Sequence, residues 1–256
     1  MSDDLASTSL SSRDRRAFVL RKLHSLTGVI PVGIYLSLHI FTNAKAMEGA
    51  QAYDEAVAGL ARWPYWSVVE VVGLYLPLAF HALYGVKLTL EARPNNRRYP
   101  FSRNWMYTLQ RVTGLLALGF IAYHLWHLRA QVGLGTMERA DYFPRLCATL
   151  SSTTASGIPV AAIAYLIGVA ACVFHFANGL HGFCFSWGIT VSRRAARSTA
   201  LVFGLFGVAL FAVAASTIIY FATGSRLVLA PGAASGAPPP ITCRDLTAGS
   251  LAAVVR

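Results

Sequence analysis

Seven histidines lie in this 256-residue chain, and four of them stand inside long apolar runs. A histidine at bilayer depth is costly to insert and by default marks a functional site. The run around Ala171–Gly182, ACVFHFANGLHG, contains Phe174-His175 followed by Gly179, and the same Phe-His-x-x-x-Gly pattern occurs at Phe80-His81 with Gly85. Two further histidines answer this pair. Thr27-Gly28 is followed by His39 at a Gly-to-His spacing of 11, and Thr113-Gly114 by His124 at a spacing of 10. The unit "Thr-Gly…His, then Phe-His…Gly" therefore appears twice in the chain.

Imidazoles on facing helices at one depth can bind a haem iron from both sides, and the cores of helix bundles are where such cofactors sit. His39 and His124 fall in one half of the membrane, His81 and His175 in the other. At 1.5 Å rise per residue the two levels are roughly 10–15 Å apart. Gly85 and Gly179 lie four residues from their histidines on the same face, where a missing side chain lets a flat macrocycle approach. The reading is two stacked b haems: His81 and His175 hold the inner one, His39 and His124 the outer one, as iron ligands. The bland alternative is four histidines that hydrogen-bond helix to helix; matched depth and repeated motifs weigh against it.

The elements that must position these side chains are membrane helices. With 55% hydrophobic and 13% charged residues, and a mean hydropathy of +0.50, the chain departs from soluble composition. Apolar spans fall at about 23–42 (I), 67–90 (II), 107–130 (III), 157–184 (IV) and 199–223 (V), each close to the ~20 residues that cross a bilayer. The expected fold is an all-α integral membrane protein in which spans I–IV form a four-helix bundle around the haems and span V is left over. The net charge of +11 is no nucleic-acid signal, because the arginines cluster between spans. Residues 13–22, the loop after span II (Arg93, Arg97, Arg98, Arg103, Arg111) and the loop after span IV (Arg193, Arg194, Arg197) share one side. The positive-inside rule then places the N-terminus in and the C-terminus out. Three parts follow: a cytoplasmic segment 1–22, a membrane domain 23–223, and an external, poorly ordered Ala/Gly/Pro-rich tail 224–256 without a core. Four cysteines form no CxxC or CxxCH, which argues against covalent haem or a cysteine-held cluster; Cys172 and Cys184 read as packing residues.

Other residues have weaker signals. Glu70, eleven residues before His81 and near its face, is a candidate proton acceptor from a quinol. Gln110 and Arg111, at the inner mouth of span III, are candidates to hold haem propionates. His24 at the inner start of span I, His181 beyond His175, and His127 one turn after His124 read as interfacial or quinone-adjacent.

The segments RKLHSLTGVIPVGIYLSLHIF, LPLAFHALYGV, RNWMYTLQRVTGLLALGFIAYHLWH and FHFANGLHGFCFSWGITV resemble the single-chain, five-helix, two-haem cytochrome b anchor (B-type) of succinate:quinone oxidoreductases. That family includes menaquinone-using succinate dehydrogenases and related fumarate reductases. The resemblance spans about residues 21–191 and includes all four ligand positions. It implies a multi-pass subunit of the bacterial cytoplasmic membrane, in contact with lipid. Its partners would be a flavoprotein and an iron–sulfur subunit, which carry the FAD, the clusters and the dicarboxylate chemistry. Electrons would run through the inner, then the outer haem to menaquinone; fumarate reduction would reverse the path. A higher oligomer of the complex is compatible with it. Some fumarate reductases have a glutamate two residues before the span-IV histidine; here that residue is Val173. Two other readings are a dihaem anchor of a formate dehydrogenase or hydrogenase, and a transporter whose histidines relay protons and bind no haem.

Overall fold

A computed structural model describes residues 11–225 and Cys243. Every regular element among them is helical. In chain order these are α1 (Ser12–Glu48), α2 (Ala50–Ala61), α3 (Trp66–Leu90), α4 (102–133), α5 (Tyr142–Ser151), α6 (Val160–Ser186) and α7 (Arg193–Thr223). Helices α1, α3, α6 and α7 are long and apolar enough to cross a membrane. Helix α4, the expected third span, has the length, roughly 48 Å at 1.5 Å per residue. Arg111, His124, His127 and Arg129 dilute its hydropathy. Ile30, Leu38, Val72, Leu83, Leu201 and Val208 are exposed on the spans, as side chains solvated by acyl chains would be.

The helix ends follow local rules. The Ser11 side chain accepts from the Asp14 backbone N–H at 3.2 Å and so caps α1. Helix α1 therefore begins well before the first apolar residue, and Arg13 to Lys22 ride on its opening turns. Ser192 caps α7 in the same way, and Gly224 ends it in the left-handed conformation at φ 70°.

Three spans contain a π-helical turn: Gly28–Gly33 in α1, Val69–Tyr75 in α3 and Leu125–Ala130 in α4. Pro31 lies inside the first and Pro77 just beyond the second. Proline removes an N–H and crowds the carbonyl four residues back, so the ladder slips locally. The turn in α1 also resolves a discrepancy between the two repeats. A π turn absorbs one extra residue, while 114–124 is regular α-helix. The spacings of 11 and 10 thereby bring His39 and His124 to one level.

Span V is not left over. Helix α7 packs along α6 and against α1, close enough that a Cβ on Gly207 would lie 2.8 Å from the Ala177 Cβ. The working bundle has five helices, four of which carry the paired histidines. At one end, the Lys22 ammonium donates to the Ser186 carbonyl and Trp187 Nε1 donates to Ser25 Oγ at 3.0 Å. At the other end α2 and α5, which charge patterns do not announce, close the bundle with a dense core. Tyr53, Phe143, Leu146, Leu150, Tyr165 and Phe221 are all buried there. Of the proposed tail 224–256 only Gly224, Ser225 and Cys243 are among the described residues, and Cys243 is buried in this core and disulfide-bonded to Cys147.

Candidate functional site

The inner pair is built by the repeat itself. His81 on α3 and His175 on α6 face each other with ring centroids 6.0 Å apart and planes crossed at 88°. His81 Nδ1–H donates to the His24 carbonyl at 2.8 Å, and His175 Nδ1–H donates to the Gln110 carbonyl at 2.9 Å. These bonds assign the tautomer, leaving Nε2 as the lone-pair nitrogen of each ring. The accepting carbonyl belongs in both cases to the residue four before the repeat glycine. That glycine makes room for the ring: a Cβ on Gly28 would collide with His81 Cε1, and one on Gly114 would stand 2.8 Å from His175 Cε1. The preceding threonines turn inward on their own helices, Thr27 Oγ1 to the Leu23 carbonyl at 2.9 Å and Thr113 Oγ1 to the Leu109 carbonyl at 2.7 Å.

Gly85 and Gly179 each have a side chain of another helix beside them. Gly85 accommodates the His24 ring, and Gly179 accommodates the Gln110 amide, at 3.1 and 3.4 Å from a built Cβ. His24 and Gln110 thus hold equivalent places in the two halves. His24 stacks flat on His81 at 4.1 Å. Gln110 donates from Nε2 to the His175 carbonyl at 3.0 Å and accepts from Asn178 Nδ2 at 2.7 Å. Its amide joins α4 to α6. Arg111 stacks on the Tyr107 ring at 3.3 Å and donates to the Tyr107 carbonyl at 2.8 Å. Its buried Nε has no hydrogen-bond partner, so it retains a donor for an anion. His181 Nδ1 pairs with Thr199 Oγ1 of α7 at 3.0 Å, which makes it a helix-packing residue.

The outer pair is less symmetric. His39 and His124 have ring centroids 5.7 Å apart at 79°. Tyr35 stacks on His39 at 5.5 Å, and Asn43 Nδ2 lies 3.3 Å from His39 Nδ1 while donating to the His39 carbonyl at 2.8 Å. His124 Nδ1 is buried with no hydrogen-bond partner, among the rings of Phe120 and Tyr165. His127 turns away toward α5, with Nε2 3.0 Å from Thr149 Oγ1, and so does not compete with His124.

Glu70 is buried, and its carboxylate is fully engaged. Arg129 grips it with two bonds, Nε to Oε1 at 2.7 Å and Nη2 to Oε2 at 2.8 Å, and Tyr75 OH donates to Oε1 at 2.7 Å. Both partners of this ion pair stand on π-helical turns. An open general base is not what this geometry presents; it presents a buried cross-link between α3 and α4. Arg129, at the outer end of span III, is not among the residues that the sequence singles out. Its position five residues after His124, within the same helix, was the available signal.

The donor sets can be tested against candidate metals. Among the described residues, no group of three or more histidine, cysteine, aspartate or glutamate side chains is placed to hold a metal ion. Each histidine pair offers two nitrogens, whereas a protein-held zinc takes three or four ligands. An iron that brings four donors of its own in a macrocycle needs two more. With imidazole–metal bonds of about 2 Å on either side, ring centroids fall roughly 6 Å apart. Both pairs meet that separation.

Fold and site define a polytopic helical membrane protein with two levels of paired histidines. A model of the succinate dehydrogenase/fumarate reductase transmembrane subunit family matches residues 17–101 and 89–214, and the chain belongs to that family. It is 38% identical over 206 residues to the succinate dehydrogenase cytochrome b558 subunit of Bacillus subtilis, covering 80% of this chain and 98% of that protein. A weaker likeness, 37% over 65 residues, links it to the succinate dehydrogenase hydrophobic membrane anchor subunit of Halobacterium salinarum, over 25% of this chain and 48% of that one. No solved structure matches it significantly.

Proposed function

We propose that this chain is the haem-bearing membrane anchor of a succinate dehydrogenase in a bacterial cytoplasmic membrane, with its N-terminus inside. It would pass electrons from an iron–sulfur partner, itself reduced by a flavoprotein, to a quinone of the menaquinone class. The observation that carries this reading is the repeated pairing of histidines at matched separations in a member of this family. When bound, haem supplies a one-electron centre at each level.

The chain's own residues account for the remaining requirements. His81 and His175 would hold the inner iron through Nε2, each ring kept in one tautomer by its backbone carbonyl acceptor. His39 and His124 would hold the outer iron. Exposed Arg97, Arg98 and Arg103 form a basic surface at the inner end, suited to the iron–sulfur partner. Arg111 Nε supplies a donor for a propionate. Glu70, Arg129 and Tyr75 make a polar cluster on the outer-half side of the bundle, where a quinone head group would find hydrogen-bond donors. Proton uptake from a quinol requires Glu70 to leave Arg129.

The test is a reductive titration of the purified complex with succinate, followed by reduced-minus-oxidised visible spectra. Two low-spin components and a co-purifying flavoprotein and iron–sulfur protein are expected. A molybdenum or nickel protein in their place, or no haem absorption, would overturn the reading.

A further inference from the structure

The disulfide between Cys147 and Cys243 joins residues 96 positions apart. Cys147 lies on α5, inside the part of the chain that the family model matches, and Cys243 lies beyond that part. Their Cα atoms are 5.4 Å apart, within the range a disulfide spans without backbone movement. Both are buried, at 1% and 3% exposure, in the outer core with Leu128, Phe143, Tyr165 and Phe221. Leu128 follows His124 by one helical turn, and the Tyr165 ring is 5.9 Å from the His124 ring. The bond therefore sits in the packing directly behind the outer pair. Disulfides persist in oxidising compartments and are rare in the cytosol. The charge pattern puts the same end outside, because the arginine clusters lie at the other.

We propose that Cys147 and Cys243 are a built extracytoplasmic clasp, which holds Cys243 against α5 and seals the core behind His124. The bond forms as two thiols give up two electrons and two protons to the disulfide of an extracytoplasmic thiol oxidase, which departs as its dithiol. The remaining cysteines, Cys172 and Cys184, are buried free thiols, so the four cysteines divide into one bonded pair on the outer cap and two reduced residues on α6. The clasp stands independently of the haem reading; only its effect on the outer pair rests on that reading.

Three measurements test it on the full complex. Membranes denatured in detergent and treated with a polyethylene-glycol maleimide should give two adducts on this chain without reductant and four after reduction; four adducts without reductant would overturn the clasp. In a C147A/C243A background, Thr136→Cys at the α4–α5 turn should react with an impermeant maleimide on intact spheroplasts and Arg98→Cys only after permeabilisation. The reverse pattern would overturn its location. Finally, C147A/C243A, with alanine chosen because both sites are buried, should lose the outer-haem absorption at a lower temperature than the inner. Equal decline of both signals, or no change in either, would overturn the sealing role while leaving the two-haem reading intact.

Discussion

The two histidine levels are made differently. At the inner level each ring has a backbone carbonyl for its Nδ1–H and a glycine beneath it, and the two halves repeat these parts residue for residue. At the outer level the rings approach as closely, but His39 has Asn43 and Tyr35 beside it, whereas His124 Nδ1 has no hydrogen-bond partner. A ring whose orientation is set by a backbone acceptor is pre-organised within its own pair of helices. A ring without one depends on what packs around it, which here is the cap formed by α2, α5 and Cys243. The inner level is thus a local construction and the outer level a tertiary one.

The largest test of this contrast removes a ligand. His175→Ala should abolish the inner haem component and keep the outer, read in low-temperature difference spectra; loss of both, or of neither, would sink the assignment. Next is register. Deleting Leu116 turns His124 by about 100° and should eliminate the outer component. Deleting Ile30 brings the Gly28–His39 spacing to ten and removes the need for the π turn, so the outer component should survive. Equal outcomes for the two deletions would refute the register role of that turn.

Smaller effects follow. Glu70→Gln leaves Arg129 half-paired in the bundle and should destabilise the complex by about 1–3 kcal/mol, measured as a lower thermal midpoint. If Glu70 also accepts a quinol proton, quinol oxidation falls further than stability explains. Smallest is Gln110→Leu, which removes a helix-to-helix tie but leaves the backbone acceptor of His175 Nδ1. It should move the inner midpoint potential by no more than roughly 60 mV and the outer one not at all. A large outer shift would show the levels to be coupled through α4 and α6.

Membrane class, the spans and the four paired histidines are legible in the sequence, because apolar length and a costly intramembrane histidine are local signals. The double motif is legible too, but its logic is not: Gly28 and Gly114 matter because a ring on another helix lies over them. That His24 lies against Gly85 and Gln110 against Gly179 is likewise visible only in the packed structure. Glu70 reads as a free acid until Arg129, 59 residues away, closes on it. The packing of α7 and the Cys147–Cys243 bond are likewise decided between segments distant in the chain. Hydrophobicity and insertion cost act residue by residue, so sequence alone determines them. Hydrogen-bond partners, close approaches and cross-links depend on which faces meet, and that is settled only when the helices pack.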